Sequence, residues 1–294
     1  MPEDKKLKFL FAINPISGGQ DKSGWETGIQ DFFKQQPHSV DLFLLDGKTD
    51  DEKLPERIAS YQPDRLVAVG GDGTIKQVAE YALNANLPLG ILPAGSANGM
   101  ARELGIPSTL EESLEVVVNG IAKPIDLICI NKTEPCLHLS DIGMNAQLVK
   151  YFDEGNIRGK LGYARGVLRV LMRRRLLQLQ ITLGDHLVRR SAFMVVLANA
   201  RMYGTGAIIN PGGDVADGKF EVVVIRKLSF MAILRMFIHF RPFDPEYIEI
   251  FQATSVHIAT KRKAYFQIDG EYRGKIREIT AEIWPGKLQV ILPE

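Results

Sequence analysis

Three glycines, a carboxylate and a hydroxyl occur together in Gly70-Gly71-Asp72-Gly73-Thr74, directly after the apolar run Leu66-Val67-Ala68-Val69. A strand ending in such a turn can aim backbone N–H groups at an anion, because glycine puts no Cβ in the way. Residues 75–84 have helical spacing, so the turn opens onto a helix N-terminus, where a phosphate is favoured. Thr74 adds a hydroxyl donor, and Asp72 a carboxylate able to orient Mg²⁺ or a phosphate-bound water. A ligand-free βα turn needs fewer glycines and no acid. The run is not a Walker A loop, since no Gly-Lys-Ser/Thr follows, and it is not the Gly-x-Gly-x-x-Gly fingerprint. Its chemistry is that of a nucleotide- or phosphate-handling enzyme.

Two more small-residue turns share this character. Asn14-Pro15-Ile16-Ser17-Gly18-Gly19 follows the apolar run at 7–13, and Ala94-Gly95-Ser96-Ala97-Asn98-Gly99 follows the run at 89–93. Each alone reads equally well as a bare turn. Asn98 can bond a base, a ribose or a backbone group. Later in the chain, Asp217-Gly218 and Asp269-Gly270-Glu271 read by themselves as hairpin turns, because Asp-Gly is a favoured turn pair.

The elements that must position these residues follow from the hydrophobic pattern. Strands are predicted at 7–13, 40–45, 65–69 and 89–93, with helices at 25–35, 50–61, 75–84, from 100, and at 109–119. Strand, turn and helix in alternation predict an α/β domain, a parallel sheet with helices on both faces. Ligands of such sheets bind outside the carboxyl ends of the strands, so the three turns should converge on one crevice. Beyond residue 123 the texture changes to β-rich runs at 124–130, 138–142, 177–182, 192–198, 220–225, 255–259, 264–268 and 278–284. These predict an all-β, antiparallel β-sandwich, interrupted by helical stretches at 159–175 and 229–239. The expected domains are 1–125 and 126–294, with a strand in 286–294 that returns to the first domain or stays in the second.

Composition narrows the class further. The 294 residues are 45% hydrophobic and 24% charged with net charge +1, so no global field selects nucleic acid as a partner. Cys129 and Cys136 are too few for a disulfide framework and match no metal spacing, which predicts buried thiols in a cytoplasmic protein. The N-terminus has no signal-peptide core, and no apolar run reaches the ~18 residues of a transmembrane helix. Any membrane role is expected to be peripheral. Residues 158–175 combine seven cationic side chains with Leu161, Tyr163, Val167, Leu168, Val170 and Leu171. That reads equally as a basic amphipathic helix for an anionic membrane or as an ordinary surface helix. Residues 228–243 carry Phe230, Phe237, Phe240 and Phe243 among other apolar side chains, suiting burial, or an acyl-chain entrance.

Taken together, Asn14-Pro15-x-Ser17-Gly18, Gly70-Gly71-Asp72-Gly73-Thr74 and Gly90-Ile91-Leu92-Pro93-Ala94-Gly95-Ser96-Ala97-Asn98 resemble, in order and interval, the diacylglycerol kinase catalytic-domain family. That family includes bacterial diacylglycerol kinase B-like and YegS-like lipid kinases and is related to sphingosine and ceramide kinases. The run 100–107 extends the likeness. In the second domain, Asn210-Pro211-Gly212-Gly213-Asp214-Val215-Ala216-Asp217-Gly218 is similar to the family's Pro-x-Ala-x-x-x-Asp-Gly segment, and Asp269-Gly270-Glu271 to its Asp-Gly-Glu motif. The resemblance implies an ATP- and Mg²⁺-dependent lipid kinase with an NAD kinase/diacylglycerol kinase-like fold and an active site in the cleft between its domains. It implies that Asn14, Pro15, Ser17, Gly18, Gly70, Gly71, Asp72, Gly73, Thr74, Gly95, Ser96 and Asn98 bind ATP. Asp217 would hold Mg²⁺, beside Asp214 and Lys219 through their carbonyls. Glu271 would be the general base, with Asp72 also catalytic. Asp269, Arg102 and Lys76 would lie nearby. The partners implied are a lipid substrate and a membrane surface, with a homodimer left open. Three positions depart from the family pattern: Lys76-Gln77 stands where Asn-Glu is usual, Gly99 where the bacterial enzymes carry Asp, and Ala216 where an acid is frequent. Two alternatives stay open: an NAD kinase, and a nucleotide- or lipid-binding regulator with weak catalysis.

Overall fold

The structure is a computed structural model that describes residues 6–16, 23–153, 176–202, 208–227 and 246–294. Ser17 and Gly18, and the expected lipid-facing stretches 158–175 and 228–243, lie outside the described residues. So do the predicted helices at 159–175 and 229–239. The chain forms two compact units, Met1–Ile125 with Gly286–Glu294, and Asp126–Pro285.

The first unit contains β1 (Lys8–Ile13), α1 (Ser23–Phe33), β2 (Ser39–Leu44), α2 (Asp50–Tyr61), β3 (Arg65–Gly70), α3 (Asp72–Ala85), β4 (Leu89–Pro93), α4 (Gly99–Glu103) and α5 (Leu110–Asn119). Its strands lie in the order β4-β3-β1-β2, all parallel. Phe9, Leu10, Phe11, Ala12 and Ile13 of β1 and Leu66, Val67, Ala68 and Val69 of β3 are fully buried. Such unbroken apolar runs suit strands covered on both faces. On one face Phe9, Phe11, Ile13, Val67 and Val69 pack with Ile29 and Phe33 of α1 and with Leu114 and Val117 of α5. Thr109 caps α5, its Oγ1 accepting from the Glu112 N–H at 3.4 Å and donating to Glu112 Oε2 at 2.6 Å. Register then aligns the strand ends. Ile13 pairs with Val69, and Val69 with Leu92, so β1, β3 and β4 finish at one level.

The second unit holds β5 (Ile121–Ile130) from Asp126 onward, β6 (Glu134–Cys136), β7 (Leu139–Gly143), α6 (Met144–Asp153), β8 (Leu177–Leu183), β9 (His186–Ala192), β10 (Met194–Ala198), β11 (Phe220–Ile225), β12 (Ile248–Ala253), β13 (Ser255–Ile268) and most of β14 (Glu271–Leu292). Neighbours run antiparallel in the order β12-β11-β10-β7-β13-β14, with β8 on β13 and β9 on β8. β13 changes partner along its length, pairing with β8 at His257–Thr260 and with β7 at Phe266–Ile268. Two apolar clusters result, one around Ile128, Phe220, Ile258, Phe266 and Ile279, the other around Leu139, Val196, Ile209 and Val223. This is the antiparallel β-sandwich that the pattern predicted. β14 re-enters the first unit at its end, where Val290 pairs parallel with Leu89 of β4.

Two local expectations need correction. The helix expected from 75 starts at Asp72, so Asp72, Gly73 and Thr74 form its first turn rather than a loop before it. Helix α6 was not expected at all. Gly143 has φ 123°, and a Cβ there would meet Phe193 O at 2.5 Å. That glycine turns β7 straight into α6 without a linker. Among the described residues no helix is long and apolar enough to cross a membrane.

Candidate nucleotide and acceptor residues

The three small-residue turns of the first unit are bonded to one another. Asn14, the residue after β1, donates from Nδ2 to Thr74 Oγ1 at 3.0 Å and from its main chain to Val69 O at 3.0 Å. Its Oδ1 accepts the Ile16 N–H at 3.1 Å, which closes the first turn across Pro15. The Ala94 N–H donates to Gly70 O at 2.9 Å, tying the third turn to the second. Asp72 completes the link, its carboxylate accepting the Gly99 and Met100 N–H groups at 3.0 and 2.9 Å. Asp72 therefore anchors the start of α4 with the same oxygens expected to serve catalysis.

Glycine is required where the turns touch. A Cβ on Gly95 would stand 2.4 Å from Gly71 Cα, and one on Gly70 would meet the Thr74 side chain at 2.4 Å. Gly73 is different. It lies in the first turn of α3, is exposed, and has open space where a Cβ would sit. The helix has no side-chain cap at Gly71. Among the described residues no side chain caps the start of this 14-residue helix, whose first N–H groups have no intrahelical partner, and nothing stands where a Cβ of Gly73 would sit. That combination fits a phosphate group.

Asn98 is fully occupied within its own turn. Its Oδ1 accepts the Gly95 N–H at 2.9 Å, and its Nδ2 donates to Pro93 O at 3.1 Å and Gly95 O at 3.0 Å. Of the three partners open to it from sequence, it takes the backbone. Its φ of 53° is left-handed, where asparagine is tolerated. Ser96 and Arg102 are exposed, whereas Lys76 is only 4% exposed on α3. Its neighbour Gln77 donates to Asp50 Oδ2 at 3.3 Å.

In the second unit Asp214, Asp217 and Lys219 lie on the exposed loop before β11. Asp214 Oδ1 accepts the Ala216 N–H at 3.0 Å and Asp217 Oδ1 the Lys219 N–H at 2.9 Å. Gln252 reaches both Asp217 Oδ2 and Glu221 Oε1, and Asn210 donates to Glu221 Oε2. Burial pushes the Glu221 carboxyl up, against the bonds from Asn210 and Gln252 that favour its charged form. Among the described residues no three His, Cys, Asp or Glu side chains gather around a metal position. The ligand set implied by the resemblance, the Asp217 carboxylate with two main-chain carbonyls, would consist of hard oxygen donors, suited to an ion that keeps several of its waters.

Glu271 opens β14, half-exposed, with its Oε2 2.9 Å from Arg273 Nη2; Arg273 Nε also contacts Glu134 at 3.1 Å. Asp269 and Gly270 have φ 48° and 84°, the left-handed pair of a tight hairpin in which Ile268 pairs with Glu271. The Asp269 carboxylate does not project freely. It accepts the N–H groups of Leu137, His138 and Leu139 at 2.9, 2.8 and 3.1 Å, and the Cys136 thiol at 3.4 Å.

Sequence reading missed the residues that shape these loops. Asp126 accepts the Gly218 N–H at 2.6 Å and donates its own N–H to Val215 O at 2.7 Å, bracing the Asp217 loop. Asp141 accepts the Ala146 N–H at 2.8 Å and holds the start of α6. A signal was present for both: each is the only carboxylate of a largely apolar strand, and a buried charge must find donors.

Comparisons with known proteins bear on the two domains and their fold. Residues 8–130 match the family described as the diacylglycerol kinase catalytic domain, and residues 140–292 match the YegS C-terminal NAD kinase beta sandwich-like domain. A diacylglycerol kinase of Bacillus subtilis (strain 168) is 24% identical over 281 residues, covering 92% of this chain and 91% of that protein. Lipid kinase YegS of Escherichia coli (strain K12) is 26% identical over 254 residues, 84% of each chain. The crystal structure of a diacylglycerol kinase from Bacillus anthracis strain Sterne aligns with a TM-score of 0.74 and 20% identity over 99% of this chain and 98% of its own, a likeness of fold. The chain belongs to the diacylglycerol kinase catalytic-domain family of phosphotransferases.

Proposed function

We propose that the chain transfers the γ-phosphoryl group of ATP to a hydroxyl of diacylglycerol or a related lipid, such as a sphingoid base or another glycerolipid. The observation that carries the donor half is the uncapped N-terminus of α3, with Gly73 facing open space and the turns at Asn14 and Gly95 bonded beside it. Phosphoryl transfer needs positioned phosphates, a positioned nucleophile and neutralised charge. Gly70, Gly71, Gly73 and Thr74 would hold the phosphates, helped by Asn14 and by Ser17 and Gly18. Asp217, with the carbonyls of Asp214 and Lys219, would hold Mg²⁺, which supplies charge neutralisation or braces the loop when bound. Glu271 takes the proton of the lipid hydroxyl as its oxygen bonds to the γ-phosphorus and the bond to the β-phosphate oxygen breaks, releasing ADP. A diacylglycerol acceptor resides in a bilayer, so we infer a cytoplasmic protein in peripheral contact with a membrane.

Purified protein, ATP, Mg²⁺ and a panel of lipids in micelles test the reading. Transfer to one of the lipids is expected. Transfer to NAD and to no lipid would overturn it, as would tight ATP binding without turnover on any acceptor. The relatives' names, diacylglycerol kinase and lipid kinase, disfavour the NAD kinase alternative. Glu271→Gln is expected to abolish transfer and leave ATP affinity nearly intact; wild-type turnover in that variant would remove Glu271 as the base.

A further inference from the structure

A hairpin turn explains Asp269-Gly270 only in part. The φ values of 48° and 84° need residues that tolerate the left-handed region, and Asp-Gly supplies them. Nothing in a hairpin requires the aspartate side chain to accept three main-chain N–H groups. The consecutive N–H groups of Leu137, His138 and Leu139 form a concave nest of the kind that binds anions, and the chain's own carboxylate fills it. The Asp269 N–H also donates back to Leu139 O at 2.9 Å. On the other side of the turn, Gln267 accepts the Gly270 N–H at 2.7 Å through Oε1 and donates through Nε2 to Asp141. Ser140 Oγ donates to Gln267 O at 2.7 Å. The turn is therefore bonded on both flanks to the 136–141 segment, and the next residue is Glu271.

We propose that Asp269 is a positioning residue for Glu271. It acts by fixing the turn from which the Glu271 side chain departs, and it rests on the reading of Glu271 as the base. Glu271, half-exposed and 2.9 Å from Arg273 Nη2, must still search for hydrogen-bond reach of its proton as the hairpin moves. Bonding the turn to the β6–β7 segment removes the hinge motion of the hairpin from that search. The nest, not the turn type, does this, so the backbone conformation and the carboxylate can be separated by mutation. Asp269→Asn keeps the tolerance for positive φ but sets a donor NH₂ against the N–H groups. Asp269→Gly keeps the turn and removes the side chain altogether.

The test uses the full chain with ATP, Mg²⁺ and diacylglycerol in mixed micelles, comparing Asp269→Asn, Asp269→Gly, Glu271→Gln and the double variant Asp269→Asn/Glu271→Gln. In both Asp269 variants kcat is expected to fall about 10- to 100-fold, the scale of a displaced catalytic group, while the KM for ATP stays within about twofold. Whatever residual rate Glu271→Gln retains is expected to be lowered no further in the double variant, because the two residues act as one unit. Unchanged kcat in both Asp269 variants, with Glu271→Gln inactive, overturns the positioning role and leaves the base. Parallel loss of kcat and ATP affinity in both variants marks a purely structural role and overturns it as well. Multiplied losses in the double variant do the same. Wild-type turnover in Glu271→Gln overturns the base, and the positioning role with it. If Asp269→Asn does not fold, Asp269→Gly carries the comparison alone.

Discussion

Asn98→Asp is the sharpest test of how the third turn is held. The aspartate has nearly the same shape and also tolerates φ 53°, so packing and backbone are left alone. What changes is the sign of one side-chain group. Pro93 O and Gly95 O lose their Nδ2 donor, at 3.1 and 3.0 Å, and face an acceptor instead. Each lost bond is worth about 1 kcal/mol net, and stranding a half-buried carbonyl adds to it, so the pair amounts to about 2–4 kcal/mol. In a chain of this size each kcal/mol moves Tm by about 2–4 °C, so a fall of about 5–15 °C is expected. The bond from the Gly95 N–H to Oδ1 survives, which keeps the loss below that of a full deletion. Asn98→Gly serves as the control: it accepts the left-handed φ without cost and loses all three side-chain bonds, but adds no charge. Thermal unfolding by circular dichroism with and without ATP, together with the ATP Kd, reads the result. A smaller ATP-induced rise in Tm is expected for both variants, since Gly95 lies close against Gly71 of the turn proposed to hold the phosphates. Unchanged Tm and Kd in both would refute the claim that this amide shapes the turn.

Two further outcomes follow from the same geometry. Gly95→Ala places a Cβ 2.4 Å from Gly71 Cα, so the turns must part; a stability loss of about 1–3 kcal/mol is expected in denaturant titration. ATP affinity should weaken roughly tenfold or more, as 1.4 kcal/mol suffices for each decade. Away from the site, Arg190 holds Glu249 with two bonds at 2.6 Å, and they keep the Glu249 carboxyl below its ordinary value of 4.5. A depressed acid stabilises the fold above the unfolded-state value and loses that contribution as pH falls through the folded-state value. With 34% and 25% of these side chains exposed, solvent screens the pair, and Arg190→Met should cost only about 0.2–1 kcal/mol at pH 7. The difference from wild type should vanish in urea titrations well below pH 4.5, and persistence there would refute the assignment.

The first unit was legible where apolar periodicity and a small-residue turn coincide, as at the ends of β1, β3 and β4. Residues 50–61 and 89–93 were predicted with the bounds that α2 and β4 have. The misplaced start of α3 has a plain cause: glycine is a poor helix former, yet here Gly73 occupies the first turn, where N–H groups need no intrahelical partner. The second unit was less legible. β9 reads His-Leu-Val-Arg-Arg-Ser-Ala and is mostly exposed, so alternation is its only signal. The Thr260-Lys261-Arg262-Lys263 cluster looked like a break, whereas β13 passes through it with a register shift between Ala259 and Ala264. Pro285-Gly286 likewise looked like an end, but β14 continues across both. Side-chain networks such as Asp269 with Leu137, His138 and Leu139 join residues more than a hundred positions apart, and no local pattern encodes such a pairing.

The return of β14 beside β4 makes the first unit discontinuous in sequence. Val290 lies against Leu89, Lys123 Nζ donates to Pro293 O at 3.3 Å, and a Cβ on Gly120 would meet Leu292 O at 2.6 Å. A gene fragment ending at residue 125 would therefore lack a strand of its own sheet and leave the edge of β4 bare, a template for aggregation. Its order of assembly is constrained in the same way. The pairing of Leu89 with Val290 closes a loop that contains the entire second unit, so the flank of β4 is among the slow, non-local contacts of folding.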